Sequence, residues 1–169
     1  MRLTVRRFRA LAFVACIASS LCIPRPLLAQ TGAPPVDPTL IAPIDTFISA
    51  VLSNSPKQMP AAFASSSTIL DDVPPNVFSG PDAYLQWYDA FLATNAKQKI
   101  TVVFLGHGSP HYAHVAGDRA YVVLPTDFTY TIAGKPYAES GAWTFGLVKQ
   151  GGDWKIASWA WSLLTDTGE

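Results

Sequence analysis

Cysteine is nearly absent from this sequence of 169 residues, and both cysteines, Cys16 and Cys22, precede Gln30. From Gln30 onward the chain therefore has no thiol that could act as a nucleophile or bind a metal, and it cannot form an internal disulfide. The fold must depend on its apolar core instead. A stretch of about 140 residues is long enough for one domain with such a core.

Positive charge is also scarce. The sequence has 12 basic and 12 acidic residues, but five of the basic residues precede Gln30, which leaves residues 30–169 with 7 basic residues, 12 acidic residues and a net charge of −5. Because nucleic-acid-binding surfaces need basic patches, we expect no nucleic-acid partner. The sequence also lacks a G-x-S-x-G nucleophile elbow and a Gly-rich phosphate loop.

The segment that ends at Ala29 is typical of a secretory signal peptide. Arg2, Arg6, Arg7 and Arg9 precede an apolar run at residues 10–23, and cleavage after Ala29 would leave Gln30 at the new terminus. The apolar run is shorter than the ~20 residues that a membrane-spanning helix needs. We therefore expect a periplasmic or secreted protein without a membrane anchor after cleavage, with a loose tail at residues 30–38 and one domain at residues 39–165.

The spacing of apolar residues predicts three helices in the first part of this domain. Two of them cover residues 43–52 and, as a short continuation of the same apolar stripe, residues 57–63. The third is expected to have Ser79 as its N-cap and Pro81 in its first turn, and to end near Thr94.

Strand patterns dominate the remainder. A short strand at residues 67–71 and a Pro-rich loop at residues 72–80 are expected before the third helix. Long aromatic-rich strands follow at residues 118–132, 137–150 and 154–164, joined by turns that contain glycine. The sequence therefore predicts an α+β fold in which helices cover a curved antiparallel sheet.

Aromatic residues recur on one face of the third helix and on one face of the sheet. On the helix, the spacing i, i+3, i+4 and i+7 is occupied by Tyr84, Trp87, Tyr88 and Phe91. In the strands, rings two residues apart lie on the same face, as in Trp159 with Trp161 and Phe128 with Tyr130. Core packing is the simpler explanation of such a helix. The alternative is that a tyrosine hydroxyl faces a ligand.

The order of these elements resembles a known superfamily. The helices, the short strand, the Pro/Gly loop and the long sheet with the pattern G-x-W-K-I-x-x-W at residues 152–159 are similar to the nuclear transport factor 2-like superfamily. Its members include ketosteroid isomerase, scytalone dehydratase, limonene epoxide hydrolase and the SnoaL-like polyketide cyclases. The resemblance covers residues 38–164 and implies a cone-shaped sheet, an apolar cavity closed by three N-terminal helices, and a homodimer formed through the sheet. Activities differ widely among members, so the fold does not specify a reaction.

The resemblance singles out Asp71 as a catalytic candidate. Residues 68–71, followed nine residues later by Gly80 and the third helix, are similar to the ketosteroid isomerase segment that supplies the general base. A carboxylate that faces an apolar cavity is partly desolvated and can abstract a proton from a carbon next to a carbonyl. The alternative is that Asp71 is a loop or capping carboxylate. Asp72 would point the opposite way if the strand continued.

The remaining isomerase residues are missing. The position of the oxyanion-binding tyrosine is occupied by Phe47, and the position of the oxyanion-binding aspartate falls near Thr144 or Phe145. Because the loss of oxyanion donors lowers rates by orders of magnitude, steroid isomerisation by that mechanism is not expected.

The three histidines lie in a segment broken by glycine and proline. No Cys or Glu near His107, His111 and His114 completes a metal-binding spacing. We therefore expect no metal or other cofactor and assign the histidines to the surface, with His107 as the exception that could reach the rim of the cavity as an acid or base.

These observations predict an exported protein that binds a small apolar or weakly polar ligand, with Asp71 as the polar group of the site. The composition indicates little charge inside the cavity. Its predicted lining consists of Trp87, Tyr88, Phe128, Trp143 and Trp159. The alternative function is a non-catalytic association module that forms a homodimer through the outer face of the sheet.

Overall fold

The structure is a computed structural model that describes residues 36–167. The predicted signal peptide at residues 1–29, and most of the predicted tail at residues 30–38, lie outside the described residues. Within residues 36–167, no helix is long and apolar enough to cross a membrane.

The described residues form two α-helices, one 3₁₀ helix and seven strands. In chain order these are α1 (Pro38–Leu52), the 3₁₀ helix (Pro56–Ala61), β1 (Phe63–Leu70), β2 (Val77–Gly80), α2 (Ala83–Gln98), β3 (Ile100–His107), β4 (Tyr112–Ala116), β5 (Arg119–Ile132), β6 (Lys135–Gln150) and β7 (Asp153–Asp166).

One sheet contains all seven strands. Its order is β2-β1-β7-β6-β5-β3, and β4 pairs with the part of β5 that lies beyond the end of β3. Every pair is antiparallel except β1 with β7. The pairing register shifts within β3, between Val102 and Phe104, and within β7, between Leu163 and Thr165, opposite Ser140 and Gly141 of β6. Such irregularities bend strands, and the curved α+β architecture predicted from the sequence is confirmed.

Strand alternation separates the two faces of the sheet. In β5, Val122, Leu124 and Tyr130 are buried on the inner face, whereas Asp127 is exposed on the outer face. The Asp127 carboxylate accepts a hydrogen bond of 2.9 Å from the Ser140 hydroxyl. Inward-facing side chains of this kind give the concave face of the sheet its apolar surface.

Helix α1 begins five residues earlier than the periodicity predicted. Asp37 is its N-cap, where the side chain accepts a hydrogen bond of 2.9 Å from the Thr39 N–H, and Pro38 occupies the first helical position. Proline is favoured there because its missing N–H would have no partner in any case. Pro43, which the sequence suggested as the start, lies inside the helix.

The segment between the second and third helices differs most from the prediction. The expected Pro-rich loop at residues 72–80 contains strand β2, which pairs with the end of β1. Ser79 therefore belongs to a strand and does not cap α2, which begins at Ala83 after Asp82. Phe63 belongs to β1 and not to the second helix, because it pairs with Ile156 of β7.

Phe47 of α1 lies at the centre of the core. It is fully buried, and its ring centroid lies between 5.3 and 5.8 Å from those of Phe63, Trp87, Trp143 and Trp159. Complete burial of a phenylalanine contributes about 1.5–3 kcal/mol. This cluster connects both helices to the inner face of the sheet and supports the candidate site described below.

Candidate functional site

A cavity of about 310 Å³ opens between α2, the turn after β1 and the inner face of the sheet. Its lining combines six aromatic rings, aliphatic side chains and a small number of polar groups. The lining residues are Asp71, Asp72, Val73, Pro74, Trp87, Phe91, Thr94, Asn95, Gln98, Ile100, Leu105, Phe128, Tyr130, Ile132, Glu139, Trp143 and Trp161. A concave, mostly apolar site with a few converging polar groups is typical of small-molecule sites.

Asp71 is the first residue after β1 and lies in this lining. Its Oδ2 accepts a hydrogen bond from the Trp87 indole Nε1–H, and its Oδ1 accepts one of 2.8 Å from the Asp72 N–H. Burial, followed by the neighbouring Asp72 carboxyl group, raises the pKa of Asp71 to about 7, although the bond from Trp87 opposes the change. A carboxyl group with this pKa exchanges a proton near neutral pH.

A tight turn fixes the position of Asp71. The Asp71 N–H donates to the Asn76 carbonyl at 3.0 Å, and the Asn76 side-chain amide donates back to the carbonyls of Asp71 and Asp72 at 3.0 and 2.9 Å. Asn76 has a φ of 75°, a left-handed conformation that asparagine tolerates well. Because β1 ends at Leu70, Asp72 does not point to the opposite face of a continuing strand, and it joins Asp71 in the cavity lining.

A second polar pair in the lining was not predicted. The Tyr130 hydroxyl donates a hydrogen bond of 2.6 Å to Glu139 Oε1. Burial raises the pKa of Glu139, and the nearby Asp72 and Asp166 carboxyl groups raise it further, while the bond from Tyr130 opposes the change. Burial, together with this bond to Glu139, raises the pKa of Tyr130. The signal in the sequence is the alternation of β6, which places Glu139 in phase with the buried Trp143.

Trp143 contributes a donor that is not satisfied. Its side chain is 3% exposed, and its indole Nε1–H has no hydrogen-bond partner within the part of the chain that the structure describes. A buried N–H without a partner destabilises a protein by about 1–3 kcal/mol.

The five aromatic residues predicted to bind ligand occupy two regions. Trp87, Phe128 and Trp143 line the cavity together with Asp71, so their contact with a ligand stays a prediction. Trp159 lies below them in the core, 1% exposed, with its ring 5.4 Å from that of Trp143.

Tyr88 also lies away from the cavity. It follows Trp87 in α2 and so points about 100° around the helix from it. Its hydroxyl donates a hydrogen bond of 2.7 Å to Asn54 Oδ1, just beyond the end of α1. Hydrogen bonding within the protein therefore accounts for this hydroxyl without a ligand.

His107 ends β3 at a different place from the cavity. Its Nε2 lies 2.9 Å from Asp45 Oδ1, which links β3 to α1. The structure therefore does not place His107 at the cavity rim, and it leaves His111 and His114 exposed. Within residues 36–167, no group of three or more acidic, histidine or cysteine side chains is arranged to hold a metal ion.

The positions of the isomerase oxyanion donors also lie outside the cavity lining. Phe47 and Phe145 are fully buried core residues. Thr144 alternates with Trp143 and Phe145 in β6 and therefore points away from the inner face. Other side chains with hydrogen-bond donors line this cavity, among them Thr94, Asn95 and Gln98.

Comparison with known proteins identifies the fold family. Residues 41–166 match the SnoaL-like domain family. The chain belongs to this family. Membership of the SnoaL-like domain family also places the chain in the nuclear transport factor 2-like superfamily, as the resemblance implied. No curated protein matches the sequence significantly.

Three solved structures illustrate the likeness. A ketosteroid isomerase-like protein from Erwinia carotovora atroseptica is 18% identical, with a TM-score of 0.61 over 75% of this chain and 95% of that one. A candidate scytalone dehydratase from Novosphingobium aromaticivorans is 15% identical, with a TM-score of 0.61 over 78% and 85%. A candidate calcium/calmodulin-dependent protein kinase II association domain from Xanthomonas campestris is 22% identical, with a TM-score of 0.57 over 79% and 93%. At these identities the likeness shows the fold alone.

Proposed function

We propose that this protein binds a small, largely apolar organic molecule in the cavity and that Asp71 accepts a proton from it. The observation that carries the proposal is the position of Asp71, a carboxyl group with a pKa of about 7 that lies in an aromatic lining and is held by the Trp87 N–H. Perturbed carboxyl groups in cavities are candidates for acid–base chemistry.

The size of the cavity supports a ligand of modest dimensions. A cavity of about 150 Å³ holds one benzene molecule, and this one measures about 310 Å³. It therefore has room for one ring or branched group with a polar substituent. Rings that line the site, such as Trp87 stacked on Phe91 at 5.2 Å, offer flat apolar surface for such a group.

Two differences from ketosteroid isomerase define what Asp71 can do. The isomerase donors at the positions of Phe47 and of Thr144 or Phe145 are replaced by residues outside the cavity lining. Asp71 can still take a proton from a carbon or heteroatom, but any developing negative charge would be met by other donors of the lining, such as the side-chain amides of Asn95 and Gln98. The proposal is therefore proton transfer on a ligand other than the usual isomerase substrate.

The experiment is native mass spectrometry of the purified full chain, followed by denaturing extraction of any bound molecule. Thr94→Trp places a large side chain in the cavity lining, and Ala93→Trp adds the same side chain on the exposed face of α2. We expect a discrete bound mass in the wild type and in Ala93→Trp and its loss in Thr94→Trp. Retention of the molecule in Thr94→Trp would place binding elsewhere and contradict the proposal.

A second candidate function is self-association through the outer face of the sheet. Tyr112 of β4 and Tyr121 of β5 are 53% and 46% exposed, and their rings contact each other at 6.1 Å. Exposed apolar patches commonly mark association sites. In light scattering, we expect a dimer that the double variant Tyr112→Ser and Tyr121→Ser dissociates, whereas Leu92→Ser on α2 leaves it intact. A wild type that remains monomeric at high micromolar concentration would rule this candidate out.

We also propose that the protein acts outside the cytoplasm. The proposal depends on the basic and apolar segments that precede Gln30. N-terminal sequencing of the protein recovered from a periplasmic extract should begin at Gln30 or within a few residues of it. A cytoplasmic product that begins at Met1 would contradict it.

A further inference from the structure

The charge of the cavity has one sign. Three carboxyl groups line it, from Asp71, Asp72 and Glu139, and no lysine, arginine or histidine occurs among the described residues of the lining. The composition had indicated little charge here, because the domain contains few charged residues. The fold instead brings together carboxyl groups from two separate segments, the turn after β1 and strand β6.

The aromatic lining favours the same kind of ligand. Six rings face the cavity, and the faces of aromatic rings carry partial negative charge. Cations bind to such faces, and quaternary ammonium groups are typical ligands of aromatic cages. Carboxyl groups and ring faces therefore both disfavour an anion in this cavity and favour a positively charged group.

We propose that the cavity selects a small organic cation, an amine or a quaternary ammonium ion. This inference rests on the proposed binding function and names the chemical class of its ligand. The cation lies among the six rings with Asp71 and Glu139 as counter-charges. The Tyr130 hydroxyl, which already donates to Glu139 at 2.6 Å, orients that carboxylate.

The ionisation of the site agrees with this assignment. Burial raises the pKa of both Asp71 and Glu139, and a bound cation stabilises the ionised form of each. Binding therefore releases protons and strengthens as the pH rises through 7. The other titratable groups that face the site are Asp72 and Tyr130, with Asp166 close to Glu139, so every ionisable neighbour is acidic.

The test compares three probes of nearly the same shape on the full chain at pH 8. Acetylcholine is the cation, 3,3-dimethylbutyl acetate is its neutral isostere, and 4,4-dimethylpentanoate is an anion with the same tert-butyl group. We expect isothermal titration to show that acetylcholine binds at least tenfold more tightly than the neutral ester and that the anion does not bind. Equal or tighter binding of the neutral ester overturns the cation proposal and leaves the binding function standing.

Binding of none of the three probes also overturns the cation proposal, and the native mass experiment then decides the binding function separately. Variants test which carboxyl groups cause the preference for acetylcholine over the neutral ester. Glu139→Gln and Asp71→Asn should each weaken acetylcholine binding five- to tenfold and change binding of the neutral ester less than twofold. Asp127→Asn, on the outer face of β5, is the matched control and should change neither. Wild-type selectivity in both cavity variants, with melting curves that show them folded, contradicts the assignment.

Discussion

The indole of Trp87 in α2 donates a hydrogen bond to the carboxyl group of Asp71 at the end of β1. This contact joins the covering helix to the turn after β1 inside the cavity. It satisfies the Trp87 N–H and orients one carboxyl oxygen, so that the position of Asp71 depends on both elements. The pKa of Asp71 is the resultant of burial, which raises it, and of this bond, which lowers it.

The first prediction is the titration of Asp71 itself. Carboxyl carbon NMR should show a pKa of about 7 for Asp71 in the wild type. Trp87→Phe keeps an aromatic ring but removes the donor, so the pKa of Asp71 should rise further in that variant. Trp154→Phe, whose indole lies outside the cavity lining, is the matched control and should leave the pKa of Asp71 unchanged. A pKa for Asp71 near 4 in the wild type would contradict the description of this site.

The second prediction concerns stability as a function of pH. A carboxyl group whose pKa is higher in the folded state than in the unfolded chain weakens stability as the pH rises from about 4 to about 7. The stability of Asp71→Asn relative to the wild type should therefore increase across this range and then stay constant. A change from 3.8 to about 7 corresponds to at most about 4 kcal/mol. Partial access to water lowers the expected increase to about 2 kcal/mol.

Urea denaturation of Asp71→Asn at pH 4, 5.5, 7 and 8 measures this increase. Asn95→Ala, also in the cavity lining but without a titratable group, is the control, and its difference from the wild type should not change with pH. A stability difference between Asp71→Asn and the wild type that stays constant or falls as the pH rises would contradict the prediction.

The third prediction concerns the Tyr130–Glu139 pair. Tyr130→Phe removes the bond of 2.6 Å, so the pKa of Glu139 should rise and the free energy of unfolding should fall by about 1 kcal/mol. Tyr137→Phe is the matched control, because the Tyr137 ring stacks on Tyr130 at 5.6 Å and the variant leaves the Tyr130 hydroxyl in place. Carboxyl carbon NMR and urea denaturation distinguish the two variants. An equal effect of both variants would mean that the hydrogen bond from Tyr130 to Glu139 does not cause the change.

The long elements of this fold could be predicted from local pattern. Strands β5, β6 and β7 alternate over 14 to 16 residues and end at glycine-containing turns, so their bounds were predicted to within about three residues. Strand β2 was missed because it has four residues, follows two prolines and depends on pairing with β1. A strand this short is specified by its partner and not by its own sequence.

The site was predicted only in part. Trp87 carries a local signal because it belongs to a helical stripe, whereas Asp71 was singled out by the resemblance to ketosteroid isomerase. Tyr88 and Trp159 carry equally strong local signals, but whether a ring lines a cavity or fills the core depends on how the helices pack against the sheet at that point. Glu139 was not predicted because a charged residue in a strand is usually exposed to solvent, although its phase with Trp143 already indicated the inner face.

The fourth prediction tests whether the isomerase tyrosine can be restored. Phe47→Tyr introduces the hydroxyl that the resemblance places at this position, but Phe47 is fully buried against four rings and lies outside the cavity lining. The new hydroxyl would be buried without a partner, and we expect a loss of about 1–3 kcal/mol in unfolding free energy with unchanged ligand affinity. Phe104→Tyr is the control, since Phe104 is 49% exposed and the change should stay within about 0.5 kcal/mol. Urea denaturation measures the unfolding free energy of both variants, and isothermal titration with acetylcholine measures their ligand affinity. Wild-type stability of Phe47→Tyr together with altered affinity would mean that this position reaches the cavity after all, and that the oxyanion donor of the isomerase could be rebuilt in this chain by one substitution.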